Sequence, residues 1–219
     1  MNAVELTSVF KSFDGRIVLN AATVAIEDGE RVVLTGSSGC GKTTLLRVIA
    51  GLEVPDAGTV CVAGRCVAQA GRNVIEPEAR AIGMVFQDLA LWPHMTAAEH
   101  LAFAIRYSHE ALSEPADRVR RMLELVQLAG YADAKPHALS GGQQQRLALA
   151  RTLAAEPRIV LMDEPLSSLD HDLKSHLQRE ILRLQALLRL TLIYVTHDRE
   201  EAAVIGSRVL MMRAGAIVE

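Results

Sequence analysis

Eight consecutive residues, Gly36 to Thr43, have the composition and spacing of a loop that binds phosphate groups. They follow the apolar run 31–35 and precede the helix-forming run 44–50. Glycines let such a loop curl until its N–H groups point at phosphate oxygens, and the next helix adds its positive end. The lysine can reach the outer phosphates, and the hydroxyl after it can ligate Mg²⁺. We therefore expect a nucleotide-phosphate site formed by Gly36, Ser37, Ser38, Gly39, Cys40, Gly41, Lys42, Thr43 and Thr44.

A second run places two carboxylates where chemistry on a phosphate would use them. Residues 159–162 are all apolar, and Asp163 and Glu164 follow directly. An unbroken apolar run is typical of a buried strand in a parallel sheet, and ligands bind at the carboxyl ends of such strands. We expect Asp163 to hold Mg²⁺ through its water shell. Glu164 is expected to orient or deprotonate the attacking water.

A third pattern, 139–146, predicts another anion site: a serine and two glycines at the start of a helix. One nucleotide rarely needs two such sites in the same chain. The residues Leu139 to Gln143 read LSGGQ, which is the signature motif of the nucleotide-binding subunits of ABC transporters. The chain resembles this family, and its importer-type members in particular, from about Val4 to about Val218.

The resemblance implies roles for further residues. Phe13 occupies the position of an aromatic ring that stacks on adenine, although a core aromatic in a β-hairpin is the alternative. Gln87 matches a glutamine that touches Mg²⁺ and senses the transmembrane partner. His197, in the segment 193–198, follows a strand-like run and matches a histidine that contacts the γ-phosphate. The segment 168–170 matches a loop that couples two ATP sites.

The same resemblance implies a composite site made by two copies of the chain, or by the chain and a paralogous subunit. One copy would supply the phosphate loop, and the other, head to tail, would supply its signature residues. The catalytic residues are then Glu164, His197, Lys42 and Gln87. The Mg²⁺ ligands are Thr43, Gln87 and Asp163. The signature residues on ATP are Ser140, Gly141, Gly142 and Gln143.

Composition limits the possible partners and the compartment. The net charge of −3, from 23 basic and 26 acidic residues, argues against a general nucleic-acid binder. No apolar run approaches the roughly 20 residues of a membrane span, and the start of the chain is mixed and polar. We expect a cytoplasmic protein, held at the inner face of the membrane by a permease. The three cysteines match neither a disulfide framework nor a zinc site.

The distribution of turn and helix signals predicts an α/β fold. Asp14-Gly15 and the run 59–67 predict β-hairpins, which together suggest an N-terminal antiparallel β subdomain. Cys61 and Cys66 flank the second turn and could face each other, although small buried core residues are more usual. The pattern is helical from about 95 to 140. The segment 170–190 predicts a long amphipathic helix whose apolar stripe consists of Leu173, Leu177, Ile181, Leu184 and Leu188. We expect one domain over 1–219: a P-loop NTPase core with that β subdomain and an inserted helical subdomain.

The segment after Gln87 carries the only tryptophan, Trp92, within a small apolar cluster. In the family this region receives a short helix of the membrane subunit, so permease docking is expected near Gln87–Met95. An ordinary buried loop is the alternative. Two other functions compete with transport: a soluble ABC ATPase of DNA repair or translation, and a P-loop kinase or GTPase. About a hundred residues separate loop and signature, which is short for the repair class, and kinases and GTPases would lack the signature.

Overall fold

The computed structural model describes residues 1–108, 115–167 and 169–218. Eleven strands and six α-helices are formed within these ranges. The strands are β1 (Asn2–Phe13), β2 (Arg16–Glu27), β3 (Arg31–Thr35), β4 (Ala57–Val62), β5 (Arg65–Gln69), β6 (Arg72–Asn73), β7 (Ile82–Val85), β8 (Ile159–Asp163), β9 (Thr191–Val195), β10 (Arg208–Arg213) and β11 (Ala216–Val218). The helices are α1 (Lys42–Ala50), α2 (Ala97–Arg106), α3 (Pro115–Leu125), α4 (Gly141–Ala154), α5 (His171–Leu188) and α6 (Arg199–Ile205).

An antiparallel sheet forms the N-terminal part, with strand order β2-β1-β4-β5-β6. Both predicted hairpins are present. Asp14 and Gly15 connect β1 to β2 with φ angles of 49° and 79°, the left-handed pair that a two-residue hairpin turn requires. Ala63 and Gly64 connect β4 to β5 in the same way, with φ angles of 47° and 75°. Short-range turn chemistry therefore determines these two pairings, whereas the pairing of β1 with β4 joins segments that are distant in the sequence.

The second sheet carries the predicted chemistry, with strand order β11-β10-β3-β9-β8-β7. Its strands are parallel except for β11, which pairs antiparallel with β10. Strands β8 and β9 are buried along their whole length, as their unbroken apolar sequences predict. Because parallel strands end at the same edge, the segments that follow β3, β7, β8 and β9 meet there.

Two hydrophobic cores lie on the two faces of this sheet. In β3, Val32 and Leu34 pack into the core under the antiparallel sheet and α1, while Val33 packs into the core formed with the helices. Side chains alternate between the faces of a strand, so one short strand contributes to both cores. Burial of each such side chain contributes about 1.5–3 kcal/mol to the free energy of unfolding. Together the two layers confirm the predicted α/β class with an N-terminal antiparallel β subdomain and an inserted helical subdomain.

The predicted helices are present, with one correction. Helix α5 covers most of the predicted 170–190 segment, and Leu177, Ile181 and Leu184 are buried on its apolar stripe. Leu188, which the periodicity assigns to the same stripe, is exposed, because it is the last helical residue before the chain turns at Arg189. Within the described ranges, no helix is both long and apolar enough to cross a bilayer.

Candidate functional site

The phosphate-loop sequence forms a tight turn between β3 and α1. Gly36 and Gly41 have φ angles of 151° and 110°. A Cβ atom on Gly36 would lie 2.4 Å from the carbonyl oxygen of Met212, and one on Gly41 would lie 2.7 Å from that of Val18. Both positions therefore combine an unfavourable backbone conformation for other residues with a close approach of backbone. The loop is therefore packed closely against β10 of the parallel sheet and β2 of the antiparallel sheet.

Lys42, the first residue of α1, folds its side chain over this loop. Its ammonium donates to the carbonyl oxygen of Gly36 at 2.9 Å and to that of Ser37 at 3.1 Å. The residue is only 6% exposed, and these two partners are neutral. A phosphate in the loop would supply an anionic acceptor to a cation that is already in place.

Thr43 and Asp163 put two oxygen groups side by side at the end of β8. The Thr43 hydroxyl donates to Oδ1 of Asp163 at 3.0 Å. Burial raises the pKa of the Asp163 carboxyl, an effect that the Thr43 hydrogen bond partly opposes. Oxygen donors of this kind suit a hard cation such as Mg²⁺, and a cation would stabilise the buried carboxylate. Magnesium needs only one or two carboxylate ligands when phosphate oxygens and water help to complete its shell.

Glu164 and His197 meet above the ends of neighbouring strands. The Glu164 N–H donates to the carbonyl oxygen of Val195 at 3.0 Å, and Glu164 has a φ angle of 45°. Nδ1 of His197 lies 3.0 Å from Oε2 of Glu164. An ionised carboxylate can only accept, so we assign the proton of this bond to Nδ1. The pair is therefore aligned at the mouth of the phosphate loop.

A buried network under His197 was not identified from the sequence. Glu201 is 3% exposed and accepts hydrogen bonds from the hydroxyls of Tyr194 and Thr196. The ammonium of Lys174, from α5, lies 3.8 Å from Oε2 of Glu201 and 2.8 Å from Oδ2 of Asp198. The Asp198 N–H donates to the Thr196 hydroxyl at 3.1 Å. The residues on both sides of His197 are thus held by one cluster of charges and hydroxyls.

The only sequence signal for this network is the helix start at Asp198. Its side chain accepts from the N–H groups of Glu200 and Glu201, as an N-cap aspartate does. Acidic residues are expected in a first helical turn, where they are usually solvated. Nothing local distinguishes the buried Glu201 from the exposed Glu200 beside it, because the difference depends on strand β9 and helix α5.

A groove of about 690 Å³ runs from the phosphate loop to the tip of the first hairpin. Phe13 and Gln87 lie on it together with Lys42, Thr43 and Glu164. Phe13 is 40% exposed, and the ammonium of Lys11 lies 5.1 Å from its ring centroid. It is not a core side chain, so the alternative of a buried hairpin aromatic is wrong. An adjoining cavity of about 740 Å³ shares Lys42 and Glu164 and includes His197.

The signature residues are built as a separate helix start. Ser140 is the N-cap of α4: its hydroxyl accepts from the N–H of Gln143 at 3.3 Å, and the Gln143 side chain accepts from the Ser140 N–H at 2.8 Å. Ser140 and Gly141 are exposed. Gly142 is buried, and a Cβ atom on it would lie 2.7 Å from Cδ1 of Leu173. Among the residues described, those lining the two phosphate-loop cavities do not include Ser140 to Gln143.

The segment after Gln87 is partly a core loop and partly a surface. Leu89 and Leu91 pack against the helical core, as the buried-loop alternative expects. Trp92 is 37% exposed; its ring centroid lies 4.8 Å from that of Phe103, which lies 4.7 Å from that of Tyr107. We call Trp92, Phe103 and Tyr107 the aromatic patch. All three side chains are exposed, so the patch offers an apolar surface.

In the predicted coupling segment, Asp170 is the N-cap of α5 and accepts from the Leu173 N–H at 3.0 Å, while Ser168 lies outside the described residues. A cavity of about 720 Å³ lies next to Arg158 and Leu190, which precede β8 and β9. It is therefore at the amino ends of the strands and shares no residue with the phosphate-loop cavities.

The chain is similar to proteins of known class. It is 45% identical over 214 residues to the "Spermidine/putrescine import ATP-binding protein PotA" of Aliivibrio fischeri, covering 98% of this chain and 56% of that protein. It is 43% identical over 219 residues to the "Maltose/maltodextrin import ATP-binding protein MalK" of Yersinia pestis, covering 58% of that protein. The chain thus spans little more than half the length of these relatives.

A solved structure with a TM-score of 0.86 covers 99% of this chain, and the chain covers 97% of it, at 32% identity. It is the dimeric post-hydrolysis state of the ATP-binding cassette MJ0796, bound to ADP and Pi. The ABC transporter family model matches residues 19–167, a range that includes the phosphate loop, the signature and both carboxylates. The chain belongs to the ABC transporter family, as its sequence predicts.

Proposed function

We propose that this chain binds ATP with Mg²⁺, hydrolyses it as a head-to-tail dimer, and thereby powers solute import through a separate membrane permease. The observation that carries the proposal is the convergence of Lys42, Thr43, Asp163, Glu164 and His197 at one edge of the parallel sheet. Phosphoryl transfer needs positioning and charge compensation more than covalent chemistry. These residues supply a cation, oxygen ligands and an aligned acid–base pair.

ATP would lie along the groove from Phe13 to the phosphate loop. The exposed ring of Phe13 gives the adenine a surface to stack on, and the loop N–H groups and the α1 N-terminus receive the phosphates. The Lys42 ammonium would turn from the carbonyls of Gly36 and Ser37 toward the β- and γ-phosphates. The free-energy cost of breaking these two hydrogen bonds is small, because the lysine exchanges neutral acceptors for anionic ones.

Thr43, Asp163 and Gln87 would hold Mg²⁺ between themselves and the phosphates. The Thr43 hydroxyl and the Asp163 carboxylate are already adjacent, and Gln87 lies on the same groove. The ion would neutralise charge on the β- and γ-phosphates during transfer. A cation there would also stabilise the Asp163 carboxylate, whose pKa is raised by burial.

Glu164 would orient the attacking water and accept its proton. The carboxylate faces the mouth of the loop, and its bond to Nδ1 of His197 leaves its other oxygen available to water. His197 would contact the γ-phosphate and keep Glu164 in the reactive orientation. A positioned general base contributes about 10²–10⁴-fold to rate.

A second copy of the chain, or a paralogous subunit, would complete the site. Ser140 and Gly141 are exposed at a helix N-terminus, a setting suited to an anion, yet they lie outside the cavities around their own phosphate loop. Head-to-tail pairing would bring Ser140, Gly141, Gly142 and Gln143 of one copy to the ATP of the other. The similarity to a cassette that was solved as a dimer supports the pairing of two copies.

The membrane permease would dock near Gln87–Met95, where the exposed Trp92 belongs to the aromatic patch. This position lets Gln87 report the state of the γ-phosphate to the partner, and it would hold the chain at the inner face of the membrane. Both relatives are named import proteins, which supports import over DNA repair or translation. Their different solutes imply that the cargo is not chosen by this subunit.

We assign the nucleotide-binding domain to 1–219, with its helical subdomain at about 95–140, of which 109–114 lie outside the described residues.

Reconstitution with the permease that co-purifies from membranes tests this function. Trp92→Ala is expected to lower solute uptake per ATP hydrolysed, since Trp92 contributes no phosphate ligand but anchors the patch. Ile17→Ala is the matched control, because Ile17 is an exposed apolar residue of β2 outside the patch. Equal coupling in the two variants, or a much larger loss of Tm for Trp92→Ala, would contradict docking and favour a structural role of Trp92.

A further inference from the structure

Two cysteines lie directly opposite each other in the antiparallel sheet. Cys61 of β4 pairs with Cys66 of β5, next to the Ala63–Gly64 turn. The turn has two residues, both with positive φ, so Val62 and Arg65 form its hydrogen-bonded closing pair. Pairs alternate along an antiparallel ladder, which makes Cys61 and Cys66 a non-hydrogen-bonded pair.

This position is the one in which cross-strand side chains come closest. The Cα atoms of a non-hydrogen-bonded pair are about 4.5 Å apart, inside the range of about 4.4–6.8 Å that a disulfide spans. A bulge follows on the side away from the turn, where Val60 pairs with Ala68 and Val67 is the extra residue. The turn and the bulge together fix the register of the two cysteines.

The environment of the pair differs from that of a core cysteine. Cys61 and Cys66 are partly exposed, whereas Cys40 in the phosphate loop is buried. They lie on the face of the sheet that also carries Glu5, the partner of Cys61 on β1. Cys66 Sγ contacts the carbonyl oxygen of Ala68 at 3.6 Å and the side chain of Gln69 at 3.8 Å. Small reagents in solution therefore have access to both thiols.

We propose that Cys61 and Cys66 form a dithiol site that reacts with low-molecular-weight disulfides and closes reversibly into a cross-strand disulfide. This inference stands on the pairing of β4 and β5 alone and does not depend on the proposed transport function. It assigns a chemistry to two residues for which neither the nucleotide site nor the core gives a reason.

The reaction is a pair of thiol–disulfide exchanges. The thiolate of one cysteine attacks the reagent, whose S–S bond breaks; a mixed disulfide forms and one reagent thiolate leaves. The second cysteine then attacks the protein sulfur of that mixed disulfide and displaces the other reagent thiolate. The two departing thiolates take up the protons that the cysteines lose. Two protein thiols are oxidised, and one reagent disulfide is reduced to two thiols.

The rate of this exchange depends on pH. Burial, and then the neighbouring Cys66 thiol, raise the pKa of the Cys61 thiol. Only the thiolate attacks, so closure is expected to accelerate as the pH increases toward the raised pKa. Glu5, the charged group paired with Cys61, acts in the same direction because it disfavours a second negative charge.

Oxidised glutathione and trypsin together test the proposal on the full chain. Native protein is treated with oxidised glutathione, remaining thiols are blocked, and the denatured chain is digested. Cleavage after Arg65 separates the two cysteines, so a linked pair of peptides, 48–65 and 66–72, is expected. Free thiols should fall from three to one, and a small thiol reductant should restore all three.

Two comparisons make the result decisive. The Cys40→Ser chain should form the same linked peptides and retain no free thiol, because Cys40 takes no part. The same treatment in urea should link 61 and 66 more slowly, since unfolding removes the cross-strand alignment. Stable glutathione adducts on both cysteines of the native chain, or equal linking in native and unfolded protein, would overturn the proposal.

Discussion

Nδ1 of His197 lies 3.0 Å from Oε2 of Glu164, although 33 residues separate them along the chain. The reason is the register of β8 and β9, in which Asp163 is opposite Val195. Glu164 follows the first of these residues directly, and His197 follows the second by two. The pair is therefore positioned by the rigid centre of the sheet rather than by a mobile loop.

Glu164→Gln is expected to lower ATP hydrolysis by at least about 10²-fold, the scale of a lost general base. Glutamine keeps the size of the side chain but cannot accept a proton as a carboxylate does. ATP affinity should not fall, because Lys42, Thr43 and Asp163 remain. Steady-state hydrolysis and nucleotide binding measure the two effects separately.

The same variant also tests the dimer. Bound ATP that is not hydrolysed should hold two copies together, so gel filtration with Mg-ATP should show a dimer where nucleotide-free protein is a monomer. Near-normal turnover by Glu164→Gln would show that another group takes the proton. A monomer with ATP bound would count against the head-to-tail arrangement.

The strand–loop–helix order and the motif residues could be predicted from the sequence, because each depends on residues that are close along the chain. The turn at Asp14-Gly15, the loop at Gly36 to Thr43 and the cap at Ser140 are fixed by local backbone chemistry. The apolar run before Asp163 indicates a buried strand for the same reason. The residues that follow these strands then lie at one edge of the sheet, because the strands are parallel.

Contacts between distant segments could not be predicted in this way. Burial of Glu201 depends on Tyr194 and Lys174, which come from a strand and a helix elsewhere in the chain. The exposure of Phe13 and Leu188 likewise depends on where neighbouring elements end. Periodicity places Leu188 on the apolar face of α5 but does not show that this face is exposed at the end of the helix.

Ser140→Arg is expected to abolish hydrolysis while each chain still binds ATP. Ser140 is exposed, so the arginine fits in the isolated chain, but it would occupy the space of the partner's γ-phosphate. Mixing Ser140→Arg with Lys42→Ala chains should restore activity, because each mixed dimer contains one site with an intact loop and signature. Hydrolysis by the mixture of two inactive proteins is the measurement.

Loss of the helix cap is controlled separately. The Ser140 hydroxyl caps α4, and a lost cap costs about 1 kcal/mol, so Ser140→Thr serves as a variant that keeps the hydroxyl. Mixing Ser140→Arg with a Ser140→Arg, Lys42→Ala double variant should restore nothing. Normal hydrolysis by Ser140→Arg alone would be incompatible with a shared site.

Asp163→Asn is expected to raise the Tm of the nucleotide-free chain at neutral pH. Burial raises the pKa of Asp163 in the folded state, so the folded chain holds this proton more tightly than the unfolded chain. Stability therefore falls as the pH rises from the unfolded pKa through the folded pKa, and asparagine removes that loss. Thermal melts from acidic to neutral pH should show the advantage of the variant shrinking as the pH falls.

Mg²⁺ distinguishes this effect from a general gain in stability. Mg-ATP should stabilise the wild-type chain more than Asp163→Asn, because the variant lacks the anionic ligand. Thr43 can still donate to the asparagine oxygen, so the local hydrogen bond is preserved. A pH-independent difference in Tm would show that the charge of Asp163 is not the cause.

Glu201→Gln is expected to slow hydrolysis by about 10-fold or more without weakening ATP binding. Glu201 accepts from the hydroxyls of Tyr194 and Thr196 at once, and glutamine keeps only one acceptor oxygen. Its amide would face a hydroxyl as a second donor, which loosens the turn that carries His197. A displacement of about 1 Å in such a group can cost 10²-fold in rate.

A positioning role predicts a specific interaction with His197. If Glu201 acts through the histidine, Glu201→Gln should add no further loss of kcat to a His197→Ala chain, whereas independent effects would multiply. Tyr194→Phe is the matched control: it removes one donor to Glu201 but leaves the bond to Thr196, which flanks the histidine. It should lower Tm, as a lost buried hydrogen bond does, with a smaller effect on kcat. Multiplying losses in the double variant would assign Glu201 a purely structural role.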